Sequence, residues 1–406
     1  MALKALHIVE LSGIGGVEQK VRFYLRGSAE RGHIEHRVLL PGSRPHTGLR
    51  NDIATAAKSV SAGKYRWGLK LPPWPEFLRR TNFLHYLRGI PHDVIMVWNR
   101  FGDAALMDAI RTESSAPVMH CECGSAWYEP TAPNARRYVE NISAVVCASN
   151  ACRRVLELRW GWKGRVAAVV NGLRPDCRCE STRPKRLSSG VIRLGAAARM
   201  LPIKGLCLAV HALKHLRAAG INAELHFAGG GSARGRKALE QLVESLDLSQ
   251  HVKFHGIVHD MPVFYGGIDY FLCPSLREPF GSVCVEAAAM GCVVVATRVD
   301  GLVEAVKDGV TGRCVPAELE LEQYPALGGG LSGVPSIVYD PAADAIVRPR
   351  VVSPQALAGA VASLAEKPAA FEAMSEAAIR RVREKLPFGA YVEALDNALL
   401  ETCNKF

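Results

Sequence analysis

Glu278 and Glu286, with seven residues between them, bracket the stretch of this 406-residue sequence best equipped for chemistry. Pro279-Phe280-Gly281-Ser282 forms a glycine turn, and the apolar run from Val283 to Met290 reads as a helix stopped by Gly291. Ser282 is placed to cap that helix. A turn opening a helix presents unpaired backbone N–H groups and the positive end of the helix dipole, which suits a diphosphate or sugar hydroxyls. Glu278 precedes the helix and Glu286 sits on its second turn, so a ligand lying across the helix start meets a carboxylate at each end. Carboxylates accept paired hydroxyl hydrogen bonds, as from a hexose at one end and a ribose at the other. Val283, Val285, Ala287, Ala288 and Ala289 surround Glu286, and an isolated carboxylate among such neighbours is costly without a purpose. The plain alternative for Glu286 is a solvated position on the helix surface.

Two β-loop-α-β units can position such a turn. The first runs through strand-like Ala5–Leu11, a glycine turn Ser12–Gly16, helical Val17–Arg31 and strand-like His36–Leu40. The second runs through Ile192–Ala197, the loop Arg199–Gly205, helical Leu206–Ala219 and the strand Ala223–Ala228. Both are of the parallel, doubly wound kind, which predicts an α/β chain of two Rossmann-like domains. The expected division is 1–170, a linker at 171–190 holding Pro175 and Pro184, a second domain at 191–387 and a C-terminal helix at 388–406. Ligands of open α/β sheets bind at the carboxyl ends of the strands, so both halves are expected to contribute to one cleft. Two segments fit this plan poorly. Lys64–Gly89 interleaves Lys and Arg with Trp67, Trp74, Phe77, Phe83 and Tyr86, a mixture suited to a membrane interface or to a half-buried helix with a basic face. Residues 317–352 read as a loop-rich insertion without an assignable role.

Composition narrows the classes. The chain is 49% hydrophobic and 22% charged, which is globular. The N-terminus lacks the pattern of a signal peptide, and no apolar run approaches the ~20 residues of a membrane span; a cytoplasmic protein is expected. The twelve cysteines are scattered through apolar stretches and read as reduced core thiols. The pairs Cys121/Cys123 and Cys177/Cys179 lack the spacing of structural zinc sites. The net charge of +11 is uneven, with 24 Lys and Arg against 14 Asp and Glu in residues 1–170 and 26 against 25 after them. An anionic partner is therefore expected on the first half.

The block Glu278-Pro279-Phe280-Gly281-Ser282-Val283-Cys284-Val285-Glu286 resembles the E-x7-E signature of family-4 retaining glycosyltransferases. His255-Gly256, Pro274-Ser275, Met290-Gly291, Gly301 with Glu304, and Asp308-Gly309-Val310-Thr311-Gly312 resemble that family's pattern in the same order. The likeness covers most of 190–316, and the first half at isolated points. It implies a GT-B fold and transfer of a sugar from a nucleotide diphosphate, with retention and without a metal or other cofactor; the sequence holds no D-x-D pair. Arg199 and Lys204 are then implied on the donor diphosphate, a role two cations at a strand's carboxyl end can fill. Gly15, Gly16, Gly256, Glu278, Phe280, Gly281, Ser282, Val283 and Glu286 are implied to line the donor. Gly13, Gly15 and Gly16 resemble the family's first glycine loop, and the missing third glycine weakens a dinucleotide reading. His120 resembles the family's cleft histidine beside the reacting sugar, with Glu278, Arg199 and Lys204 completing the catalytic set. Glu122-Cys123-Gly124-Ser125-Ala126-Trp127 resembles a segment of transferases that build bacterial lipopolysaccharide. The cations concentrated in the first half point to a phosphorylated or membrane-held acceptor, such as a lipopolysaccharide core or a lipid-linked saccharide, at the inner membrane. An inverting reaction would need a base, with His120 or Glu122 as the groups to hand. A GT-B epimerase or phosphorylase is the rival enzyme and a nucleotide-sugar sensor the non-catalytic one. Nucleic acid is not an expected partner, because paired carboxylates repel phosphate backbones.

Overall fold

The computed structural model describes residues 2–128, 131–169, 171–177, 183–187 and 190–405. The chain forms two compact units, Met1–Gly172 with Phe388–Phe406, and Leu173–Pro387.

The first unit is built on strands β1 (Leu3–Ile8), β2 (Ile34–Leu40), β3 (Ser59–Ala62), β6 (Val94–Trp98), β7 (Val118–Glu122), β8 (Ala144–Cys147) and β9 (Arg165–Val169). Between β3 and β6 a small antiparallel hairpin, β4 (Tyr65–Arg66) and β5 (Leu69–Lys70), stands apart from the sheet. The sheet order is β3-β2-β1-β6-β7-β8-β9 and every pairing within it is parallel. Every residue of β6, β7 and β8 is buried, as expected of strands covered by helices on both faces. The hairpin turn is Trp67-Gly68, both with positive φ (49° and 83°), the geometry of a two-residue loop. The last helix, Phe388–Cys403, packs into this unit, burying Tyr391, Val392, Leu395 and Leu399 in its core.

A buried polar chain fastens that helix. Trp98 Nε1 donates to His7 Nδ1 (3.1 Å), His7 Nε2 lies 2.9 Å from His36 Nδ1, and His36 Nε2 lies 2.9 Å from Ser28 Oγ. Ser28 donates to Asp396 Oδ1 (2.6 Å), which also accepts from Tyr24 Oη at 3.0 Å. An indole N–H can only donate and a carboxylate only accept, so the chain has one direction and both histidines are neutral in it. Burial drives the pKa of His7 well down, aided by His36, and lowers that of His36 to about 4.

The second unit repeats the plan with β10 (Ile192–Ala197), β11 (Ala223–Ala228), β12 (Val252–Phe254), β13 (Tyr270–Cys273), β14 (Val293–Arg298) and β15 (Gly312–Glu320). After β15 come a hairpin, β16 (Val338–Asp340) with β17 (Ala345–Val347), and an edge strand β18 (Arg350–Val352). The order is β12-β11-β10-β13-β14-β15-β18, parallel except for the antiparallel β15–β18 edge. Three expectations need correcting. The segment 171–190 is not a plain linker, since from Leu173 onward it belongs to the second unit. Residues 317–352 are not a loop-rich insertion throughout, because 317–320 extend β15 and 350–352 close the sheet edge. Ser282 is not the cap of the helix Ser282–Ala289; Gly281 is, at φ +94°, a conformation that a residue with a Cβ rarely adopts.

Candidate active site

Strand order reverses between β10 and β13, which are neighbours in the sheet although two strands separate them in sequence. At such a switch point the loops leaving the two strands diverge and leave a crevice. Here the loop after β10 carries Arg199 and Lys204, and the loop after β13 carries Glu278. They are tied together: Leu276 N donates to Ile203 O (2.9 Å), and a Cβ at Gly205 would fall 2.0 Å from Pro274 O. Gly205 therefore permits the approach, at φ +64°. The result is an ion pair at 2.5 Å between Lys204 Nζ and Glu278 Oε2, both groups mostly shielded from solvent. Arg199 stands exposed at the end of β10, its side chain without a partner among the described residues. Its loop rests on the glycine cluster after β11, where Met200 N donates to Gly230 O at 2.9 Å and a Cβ at Gly229 would lie 2.1 Å from Ala198 O. Gly256 closes the same corner, its carbonyl accepting from Gly229 N at 2.7 Å.

Glu278 is held from behind. Its N–H donates to Asp300 Oδ2 (2.9 Å) and its carbonyl accepts from Gly301 N (3.1 Å). Asp300, fully buried, also accepts from Tyr339 N at 2.7 Å through Oδ1. The β16–β17 hairpin thus braces the Glu278 loop through one aspartate.

Glu286 lies elsewhere on the helix and is not a solvated residue, being 4% exposed. Tyr265 Oη donates to its Oε2 (3.0 Å) and Arg174 Nε stands 3.1 Å from its Oε1. Burial raises the pKa of this carboxyl, against the pull of Arg174 and the Tyr265 hydrogen bond. The structure therefore brings Lys204 and Glu278 together, with Arg199 on the same strand edge, and gives Glu286 a separate pair of partners. Gly281, Ser282 and Val283 head the helix as expected. The Phe280 ring is buried in the unit's core, in one cluster with Leu302 and Cys284, so only its backbone is available to a ligand.

In the first unit, Gly15 caps the helix Gly16–Arg31, and Glu18 folds back so closely that a Cβ at Gly15 would lie 2.7 Å from its Oε2. His120 corrects an expectation. It is wholly buried in β7, with Nε2 2.9 Å from Glu122 Oε2 and Nδ1 2.8 Å from Tyr138 Oη, so neither ring nitrogen faces a ligand. Glu122, equally buried, takes hydrogen bonds from Gly124 N, Ala126 N and Ser125 Oγ. Burial would raise its pKa, but the bonds from His120, Ser125 and Gly124 bring it below the ordinary value. Glu122 fastens the turn through Gly124, Ser125 and Ala126, and His120 holds Glu122 from the Tyr138 side. The eleven described cysteines are free thiols, and Cys179 lies outside the described residues.

Residues 191–324 match the family described as glycosyl transferases group 1. The matched residues, which lie within the second unit, form a glycosyltransferase group 1 domain. The chain is 27% identical over 305 residues to the lipopolysaccharide core biosynthesis glycosyltransferase LpsD of Rhizobium meliloti strain 1021, covering 74% of this chain and 79% of that protein. It is 26% identical over 302 residues to LpsE of the same strain, covering 74% and 81%. Among solved structures, HepE of Anabaena, crystallised with UDP and glucose, matches with a TM-score of 0.69 at 17% identity over 100% of both chains. WaaG, a glycosyltransferase involved in lipopolysaccharide biosynthesis, matches with a TM-score of 0.66 at 15% identity over 98% and 99%. The fold is GT-B, with two Rossmann-like α/β units.

Three residues of the second unit that support the site escape a reading of the sequence. Asp300 has a faint local signal, an Asp-Gly pair directly after a buried strand. Tyr339 acts through its backbone, and Arg174 belongs to a polar, proline-bearing stretch; no residue type or spacing marks either of them.

Proposed function

We propose that this glycosyltransferase moves a sugar from a uridine diphosphate donor to a lipopolysaccharide core or other cell-envelope saccharide, with retention and without a metal. The observation that carries the reading is the Lys204–Glu278 pair at the β10/β13 switch point, with Arg199 beside it. A donor diphosphate at the carboxyl edge meets Arg199, Lys204 and the start of the helix Ser282–Ala289. These offset the charge that grows as the bond from the anomeric carbon to the diphosphate oxygen breaks. The acceptor oxygen bonds to that carbon on the same face, and its proton passes to the departing diphosphate oxygen. Glu278, released from Lys204 as the anion takes over the cation, accepts from sugar hydroxyls. Glu286 retains lone pairs beyond those used by Tyr265 and Arg174, and a ribose reaching it shares the carboxylate with Arg174.

The UDP donor is supported by HepE, a match in fold that was crystallised with UDP and glucose, and the acceptor class by the names of LpsD and LpsE. A cytoplasmic enzyme on the inner membrane's cytoplasmic face is supported by the hairpin region. Trp67, Leu69, Trp74 and Phe77 are exposed there, among Lys64, Arg66, Lys70, Arg79 and Arg80. Among the described residues no helix is long and apolar enough to cross a membrane.

The test is thermal shift with EDTA present against UDP, GDP, ADP and NAD, repeated with Glu286→Ala. At 100 times its dissociation constant a ligand adds about 2.7 kcal/mol to stability. UDP alone raising the midpoint, with the gain lost in Glu286→Ala, supports the reading; a response to NAD only, or to none, overturns it. The anomeric configuration of the product then decides retention.

A further inference from the structure

The first unit has a cavity of about 380 Å³ that the donor chemistry does not use. It opens over the carboxyl ends of β2 and β3, where Leu40 and Ala62 are paired in register and form part of the floor. This is the edge at which parallel sheets bind ligands. One wall is the helix Thr47–Ala56, contributing Arg50 and, one turn on, Ala54; Arg44 reaches in from the loop before it. The opposite wall is the Tyr65–Lys70 hairpin with Tyr86 behind it.

That hairpin wall is fixed. Asn82, 1% exposed, donates to Gly63 O at 2.8 Å and Tyr65 O at 2.9 Å, and Tyr86 Oη donates to Tyr65 O at 3.1 Å. Arg44 is fixed as well, its guanidinium stacked 4.4 Å over the Tyr65 ring and donating to Gly68 O at 2.8 Å. One carbonyl uses one of its five N–H donors, and the rest remain for a ligand. The Arg50 guanidinium has no partner among the described residues. Among the described residues no Asp or Glu lines the cavity, so two cations face it without a counter-charge. Tyrosine and aliphatic surfaces make up most of the rest, more than an inorganic anion would need, and a volume of this order suits one or two sugar rings.

We propose that this cavity is a binding site for an anionic saccharide, a sugar ring bearing phosphate or carboxylate, with Arg44 and Arg50 on the anion and the tyrosines beside the ring. The inference rests on the transferase reading and gives its acceptor a place. It also accounts for the uneven charge of the chain, with Arg44 and Arg50 among the cations in excess over residues 1–170.

The test is calorimetric titration of the full-length protein with glucose 6-phosphate, glucuronate, glucose, glycerol 3-phosphate and inorganic phosphate, with UDP as the control ligand. Both anionic sugars are expected to bind at least tenfold more tightly than glucose, glycerol 3-phosphate and phosphate. Arg50→Ala, an exposed helix position at which truncation to alanine is structurally mild, should weaken the anionic sugars about tenfold and leave UDP unchanged. Equal binding of phosphate makes the cavity a bare anion site, and equal binding of glycerol 3-phosphate makes it a lipid headgroup site; either overturns the proposal. So does an Arg50→Ala protein with undiminished affinity for the sugars. A wild-type protein that binds the sugars but not UDP keeps the cavity and overturns the donor reading.

Discussion

Lys204 and Glu278 stand at the end of neighbouring strands with one charge of each sign, and what they do depends on which anion Lys204 faces. If the cation serves the departing diphosphate, Lys204→Ala should lower kcat by about 10²- to 10³-fold while UDP-sugar KM changes far less, as for removal of a single transition-state donor. Steady-state kinetics with the donor found by thermal shift checks this. Arg174 makes a different prediction. Its loss leaves Glu286 buried with only Tyr265 and, among ionised groups, no cation against it, so Arg174→Ala should cost about 3 kcal/mol at pH 7. The cost should shrink as acid protonates the carboxyl, whose pKa burial raises, and urea denaturation at neutral and at acid pH measures it. The Glu278–Glu286 spacing stands out from the residues alone, whereas Arg199 and Lys204 come to notice through the resemblance to family-4 glycosyltransferases. His120 misleads. A strand end looks like a cleft in one dimension, and only packing shows that Tyr138 and Glu122 enclose it.

At the scale of elements, the site depends on backbone approaches that side chains would block. A Cβ at Gly301 would stand 2.0 Å from Pro279 O, directly behind Glu278. Gly301→Ala should therefore displace that loop, costing about 2 kcal/mol in the manner of overpacking and weakening UDP binding. Gly359, inside the helix Pro354–Ala365 with nothing within 4 Å of its would-be Cβ, is the contrast. Gly359→Ala should add about 0.5–1 kcal/mol through helix propensity and leave binding alone. Thermal midpoints with and without UDP separate the two. The strands and helices around the switch point could be read to within a residue or two, because their apolar runs are bounded by Gly and Pro. The brace behind Glu278 could not. Val338–Asp340 and Ala345–Val347 are three residues each, too short to show a period, and Asp300, 39 residues from Tyr339 in sequence, decides where they sit.

For the whole molecule, the two units should differ in acid. His7 and His36 remain neutral in the folded first unit but take up protons once unfolded, so stability is lost as pH falls from about 6.5 toward about 4. The loss approaches about 2 kcal/mol per histidine at pH 5. All six tryptophans belong to the first unit, so their fluorescence in a denaturant titration reports on it alone. A midpoint falling between pH 7 and pH 5 agrees with the buried chain, and an unmoved one contradicts it. Composition and repeated β-loop-α-β patterning suffice to predict two Rossmann-like domains. The destination of the last helix is not written in its own residues, since an amphipathic helix suits either sheet until Asp396 meets Ser28 and Tyr24. That destination also sets an order of events during synthesis. The second unit holds every strand of its sheet before Phe388 is made, while the first lacks part of its core until the residues near 400 leave the ribosome. The half translated first is therefore the half completed last, and it spends most of translation with the surface meant for Tyr391, Val392, Leu395 and Leu399 uncovered.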